Sequence, residues 1–159
     1  MTMLTNEERL IKAGIVLPEI PMPAGLYQPA IRAGGMIYTS GQLPLVNGEL
    51  LNPGGRGCVT NEREHEAINA ARVAALNAVA AVRVVAGSLD NISQIVKLTV
   101  YVSSADGFTN QHKVANGASE IIGEIFGEEG RHVRSAVGVK SLPLNASIEV
   151  DLLVISMDF

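Results

Sequence analysis

The sequence predicts an α+β domain, a single sheet with its helices packed on one face. Three observations carry that expectation. Segments 95–103, 132–139 and 147–154 alternate apolar and polar residues with period two, the mark of half-buried strands. Segments 61–86 and 109–126 repeat their apolar residues at helical spacing instead. Two main helices are too few to cover both faces of such a sheet.

The elements follow in order. Thr5-Asn6-Glu7-Glu8 is a capping box, so a short helix should run to about Ala13 and stop at Gly14. Pro18, Pro21 and Pro23 make the next stretch an extended connector. Residues 27–32 and 36–40 read as two strands joined by the Gly34-Gly35 turn. A short third strand at 43–46 precedes Asn47-Gly48, and 52–57 is a glycine-rich loop with no lysine to make it a phosphate cradle. The long helix should be capped by Asn61 with Glu64 and end at Gly87, burying Ile68, Ala71, Ala75, Val79, Val82 and Ala86. In the strand that follows, Val96, Leu98, Val100 and Val102 oppose Lys97, Thr99, Tyr101 and Ser103. The second helix ends at Gly127.

The last two strands hold the chemistry. Val133, Ser135, Val137 and Val139 point one way, and His132, Arg134, Ala136 and Gly138 the other. Pro143 and Asn145 in the connection suggest a hairpin, which would set Arg134 near Glu149 on one sheet face. An arginine, a carboxylate and small neighbours describe a small anionic-ligand pocket; an ordinary cross-strand salt bridge fits the same pattern. The face opposite the helices would carry Tyr38, Ser40, Lys97, Thr99, Tyr101, Arg134, Ala136, Gly138, Glu149 and Asp151. Such a face is open to water or packed on a copy of itself, and its tyrosines and small residues favour an oligomer with a site-bearing interface.

Composition excludes several classes. With 159 residues, 47% hydrophobic and 18% charged, the chain is one globular domain with a real core. Its apolar runs are short and interrupted, so no membrane partner is expected. A net charge of −4 with no basic stripe argues against a nucleic-acid partner. The single cysteine, Cys58, leaves no internal disulfide and makes a cytoplasmic location the default. His65, His112 and His132 lack metal-ligand spacing, so no metal is expected.

Several separate stretches together resemble the RidA/YjgF family, also labelled the L-PSP endoribonuclease family. They are Gly25-Leu26-Tyr27, Tyr38-Thr39-Ser40-Gly41-Gln42-Leu43-Pro44, Ile95-Val96-Lys97-Leu98-Thr99-Val100-Tyr101-Val102, Arg134-Ser135-Ala136-Val137-Gly138-Val139, Leu142-Pro143 and Ile148-Glu149-Val150-Asp151. The likeness divides the chain into an N-terminal helix and connector, 1–24, and a family-like domain, 25–159.

The resemblance implies a chorismate-mutase-like fold assembled as a homotrimer, with sites between subunits and no cofactor. The implied activity is hydrolytic deamination of reactive 2-imino and enamine acids to 2-oxo acids and ammonia. By motif position, Arg134 would bind the substrate carboxylate and Glu149 would handle the water. Tyr27, Gly41, Ala136 and Asn116 would line the site. Ala136 stands where the family often has cysteine, and Gly138 where glutamate is frequent, which implies a wider pocket. A non-catalytic protein that binds small carboxylates is the alternative function, and a ribonuclease or translation inhibitor the third.

Overall fold

A computed structural model of the chain describes residues 2–20 and 25–157. Pro21 to Ala24, in the expected connector, lie outside the described residues. The capping box forms as expected: Thr5 Oγ1 accepts from the Glu8 N–H, and the Glu8 carboxylate accepts from the Thr5 N–H, opening α1 (Asn6–Lys12). This helix is docked on the body. Buried Asn6 donates to Leu89 O and to Glu129, and Glu7 takes two hydrogen bonds from Arg83. Leu10 joins the common core.

The chain then forms the hairpin β1 (Ala30–Ala33) and β2 (Met36–Thr39), turning at Gly34, whose φ is +60°. The first strand begins three residues later than expected because Pro29 has no N–H for the ladder. Asn47-Gly48 closes a second, two-stranded hairpin, β3 (Leu45–Val46) with β4 (Glu49–Leu50). Asn77, buried in the long helix, donates to Leu43 O and Leu45 O and so ties this hairpin down.

The long helix, α2 (Glu64–Ala86), does not start on the expected Asn61–Glu64 cap. Asn61 begins a 3-10 turn, Asn61–Arg63, and Glu64 accepts instead from Asn110 at 2.8 Å. By length and composition α2 could cross a membrane, contrary to the expectation from the interrupted runs. Its alanines are nevertheless buried in the core, on a broader face than one stripe; Ile68 itself is only half-buried.

The next strand, β5 (Ile92–Ser103), breaks its alternation where the pairing shifts between Ile95 and Lys97. Ile95 therefore takes the core position that periodicity assigned to Val96. The helix α3 (Gln111–Phe126) follows and lies across α2 at Gly117. A Cβ there would overlap the Ile68 carbonyl oxygen, so the helices touch backbone to backbone. Gly117→Ala is expected to lower stability by about 1–3 kcal/mol in urea denaturation, and an unchanged midpoint would contradict this packing.

The remaining strands are β6 (Val133–Val139) and β7 (Ile148–Ser156). The main sheet runs β1-β2-β7-β5-β6. This corrects the expected final hairpin: β6 pairs in parallel with β5, and β7 inserts antiparallel between β5 and β2. A strand–helix–strand run naturally returns parallel, and β5–α3–β6 does so. The connector to β7 includes a 3-10 turn at Pro143–Asn145, with Leu144 and Asn145 at positive φ, and rounds the end of β5. Leu98, Val100, Val102, Ile148, Val150, Leu152 and Val154 face the helices, fully buried.

Candidate functional site

The parallel register decides which way Arg134 points. It pairs Arg134 with Leu98, Ala136 with Val100 and Gly138 with Val102, all core-facing positions of β5. Arg134 thus lies on the helix side of edge strand β6, not on the open face where alternation had placed it. Val133 and Val137 take the open face instead, Val133 being 65% exposed.

On the helix side α3 holds the guanidinium. Arg134 Nη1 donates to Asn116 Oδ1 at 2.8 Å and Ser119 Oγ at 3.1 Å, and Nη2 to His112 O at 3.0 Å. His112, Asn116 and Ser119 follow one another at helical spacing, so a single face of α3 supplies all three acceptors. Among the described residues, three of the guanidinium's five N–H bonds are committed. That leaves the Nε–H and one Nη2–H, which a carboxylate can take as paired donors. Ala136 lies partly buried beside Arg134. Gly138 does not leave the expected open floor: a Cβ there would meet Gln111 Nε2 at 2.8 Å.

Glu149 lies elsewhere. It pairs with Tyr101 across β5, on the open face, with Asp151 beside Thr99 in the next row. Arg134 and Glu149 therefore neither pair nor share a face within one chain. The Arg134–Glu149 salt bridge is thereby ruled out too. Gly41 belongs with Glu149, since a Cβ at Gly41 would overlap Oε1, 1.9 Å away. Tyr27 is exposed ahead of β1, at the sheet edge remote from β6.

Sequence reasoning named Arg134, Asn116, Ala136, Gly41, Glu149 and Tyr27. The structure brings the first three together, pairs the next two, and leaves Tyr27 apart. Ser119, His132 and the His112 carbonyl were missed, although the 112/116/119 spacing on one helix face could have pointed to them. Tyr101 and Asp151 were placed on the open face with Glu149, but the direct pairing of Tyr101 with Glu149 was missed because the inserted strand order was not foreseen.

The open-face acids are electrostatically uncomfortable. Burial first, and then Asp151, pushes the Glu149 carboxyl above its ordinary pKa. Burial also raises Asp151, against the opposing pull of Tyr101, Thr99 and Lys97. Tyr101 is raised by burial and then by Asp151. A carboxyl raised on folding contributes stability below its unfolded pKa and loses it as pH climbs through the folded value. Glu149→Gln is therefore expected to raise the melting temperature at neutral pH and to lose that advantage in acid. A lower melting temperature at pH 7 would contradict this.

Among the described residues no three His, Cys, Asp or Glu side chains gather to hold a metal. A cleft of about 770 Å³ beside the β3–β4 hairpin, lined in part by Arg56, Arg63 and Glu66, contains none of the candidate residues.

Comparison with known proteins matches residues 7–155 to the family model described as "YjgF/chorismate_mutase-like, putative endoribonuclease". The chain belongs to the YjgF/chorismate-mutase-like family. The match begins inside α1, ahead of the likeness read from Gly25 onward. The chain is 43% identical to protein TCP17 of Trypanosoma cruzi over 146 residues, 91% of this chain and 90% of that one. A solved structure described as a "putative endoribonuclease" from Shewanella oneidensis superposes with a TM-score of 0.89 at 35% identity, covering 96% of this chain and 99% of that one. A Dermatophagoides farinae protein named 2-iminobutanoate/2-iminopropanoate deaminase is 27% identical over 141 residues, 89% of this chain and 94% of its own. The Shewanella oneidensis structure shares the α+β fold described above, a mixed sheet with helices packed against it.

Proposed function

We propose that this YjgF-family protein hydrolyses small 2-imino and enamine acids to 2-oxo acids and ammonia, in a site completed by a second copy of the chain. The observation that carries this reading is the uncommitted edge of Arg134, two parallel N–H donors held by three hydrogen bonds to α3. Fixing the carboxylate there aims the imine carbon, so positioning supplies much of the rate. Water oxygen bonds to that carbon while Glu149 takes one water proton and hands it to nitrogen. The C–N bond then breaks as the new hydroxyl becomes C=O, and its proton leaves through Glu149 to the departing ammonia. Iminium and water thus give 2-oxo acid and ammonium, and the balance needs no oxidant or reductant. A carboxyl raised above its ordinary pKa suits both halves of that transfer.

Because Arg134 and Glu149 lie on opposite sides of one sheet, the reading requires association. The open face carries exposed Ile31, Tyr38 and Val137 around the Glu149 row, a mixed surface suited to self-packing. We take the assembly to be a cyclic homotrimer, as the family resemblance implies. A ribonuclease role is disfavoured by the net charge of −4 and by two carboxylates on that face.

The test adds the protein to an amino-acid oxidase or threonine dehydratase reaction and follows ammonia. Faster release by the parent and none by Arg134→Ala is expected. Carboxylate binding without faster release would leave the non-catalytic reading, for which the same Arg134 edge suffices.

A further inference from the structure

The hydrogen bonds around Arg134 run one step beyond what the proposed reaction uses. Ser119 Oγ lies 2.9 Å from His132 Nε2, and His132 Nδ1 lies 2.7 Å from Gly130 O. A carbonyl oxygen only accepts, so in neutral imidazole Nδ1 carries the hydrogen and Nε2 is left as an acceptor. The single Ser119 hydroxyl hydrogen then points at Nε2. Its lone pairs stay turned to Arg134 Nη1, 3.1 Å away. Every group in this chain has one role, and the direction is set at Gly130.

Without His132 the Ser119 hydroxyl would be free to turn. A serine inside a helix readily donates to the carbonyl one turn back, which here belongs to Ala115. Arg134 has two Nη1 hydrogens, and Asn116 Oδ1 takes only one of them. The other depends on Ser119. If it is released, the guanidinium can rotate off α3 and lose the aim of its Nε and Nη2 edge.

We infer that Ser119 and His132 are a positioning pair for Arg134, holding its Nη1 side on α3 so that the opposite edge meets the substrate carboxylate. The inference rests on Arg134 being the carboxylate anchor, as proposed above. Neither residue touches the substrate; both act through the guanidinium.

The experiment titrates 2-oxobutyrate into folded variants by calorimetry and measures imine hydrolysis in parallel. Ser119→Ala and His132→Phe are each expected to weaken binding about 3- to 10-fold, the range for one lost hydrogen bond. The loss should fall on KM rather than kcat, since the carboxylate is held alike before and during reaction. His132→Gln, whose amide oxygen can accept from Ser119, should recover most of the affinity, as should Ser119→Thr. The Ser119→Ala/His132→Phe double variant should bind no more weakly than Ser119→Ala alone, because His132 acts only through Ser119. Parent-like binding by Ser119→Ala beside a non-binding Arg134→Ala would overturn the positioning role alone, and so would additive losses in the double variant. Parent-like binding by Arg134→Ala would overturn the anchor reading and the positioning role with it.

Discussion

Arg134→Ala is expected to abolish detectable 2-oxobutyrate binding and imine hydrolysis while leaving the circular dichroism spectrum near that of the parent. The side chain stands on edge strand β6 with three hydrogen bonds to α3, and its remaining two donors have no protein acceptor among the described residues. Leu98, its partner on β5, and Ala118 and Ile122 of α3 are fully buried, and the substitution changes none of them. Arg134→Lys keeps the charge but loses the paired donors, so binding should weaken several-fold rather than vanish. Parent-like binding by Arg134→Ala would move the anion site elsewhere in the molecule.

Glu149→Gln should slow turnover about 10²–10⁴-fold, the usual loss when a general acid-base is removed, with carboxylate affinity close to the parent's. The two effects separate because Glu149 and Arg134 share no contact in one chain. The same substitution is expected to stabilise the fold at neutral pH, by the sign worked out above for a raised carboxyl. Lost activity with gained stability would mark Glu149 as a strained functional group. An active Glu149→Gln variant would remove it from the reaction.

Local signals in the sequence were legible because local chemistry decides them. The Thr5–Glu8 capping box, the Gly34-Gly35 and Asn47-Gly48 turns, and the ends of α2 and α3 at Gly87 and Gly127 each follow from residues within one turn of chain. Strand order was not legible in the same way. Alternation states that Arg134 and the valines of β6 face opposite ways, but it cannot say which face meets the helices. The parallel pairing with β5 settles that, and it reverses the assignment. Pro143 and Asn145 signal a turn equally well for a hairpin and for a connector that rounds β5. The family resemblance singled out Arg134 and Glu149 without revealing that β5 stands between their strands. Ser119 and His132 lie outside the quoted motif stretches, and only the folded contact between α3 and the start of β6 shows them.

The central claim is that one copy supplies Arg134 and another supplies Glu149. Mixing the two disabled chains tests it directly. Arg134→Ala and Glu149→Gln chains, co-expressed and purified together, should regain imine hydrolysis. At an interface between two chains drawn at random, about one site in four would receive the intact arginine from one chain and the intact glutamate from the other. The expected result is activity near that fraction of the parent's, with each variant alone inactive. Mixed assemblies as inactive as the separate variants would contradict a site shared between copies.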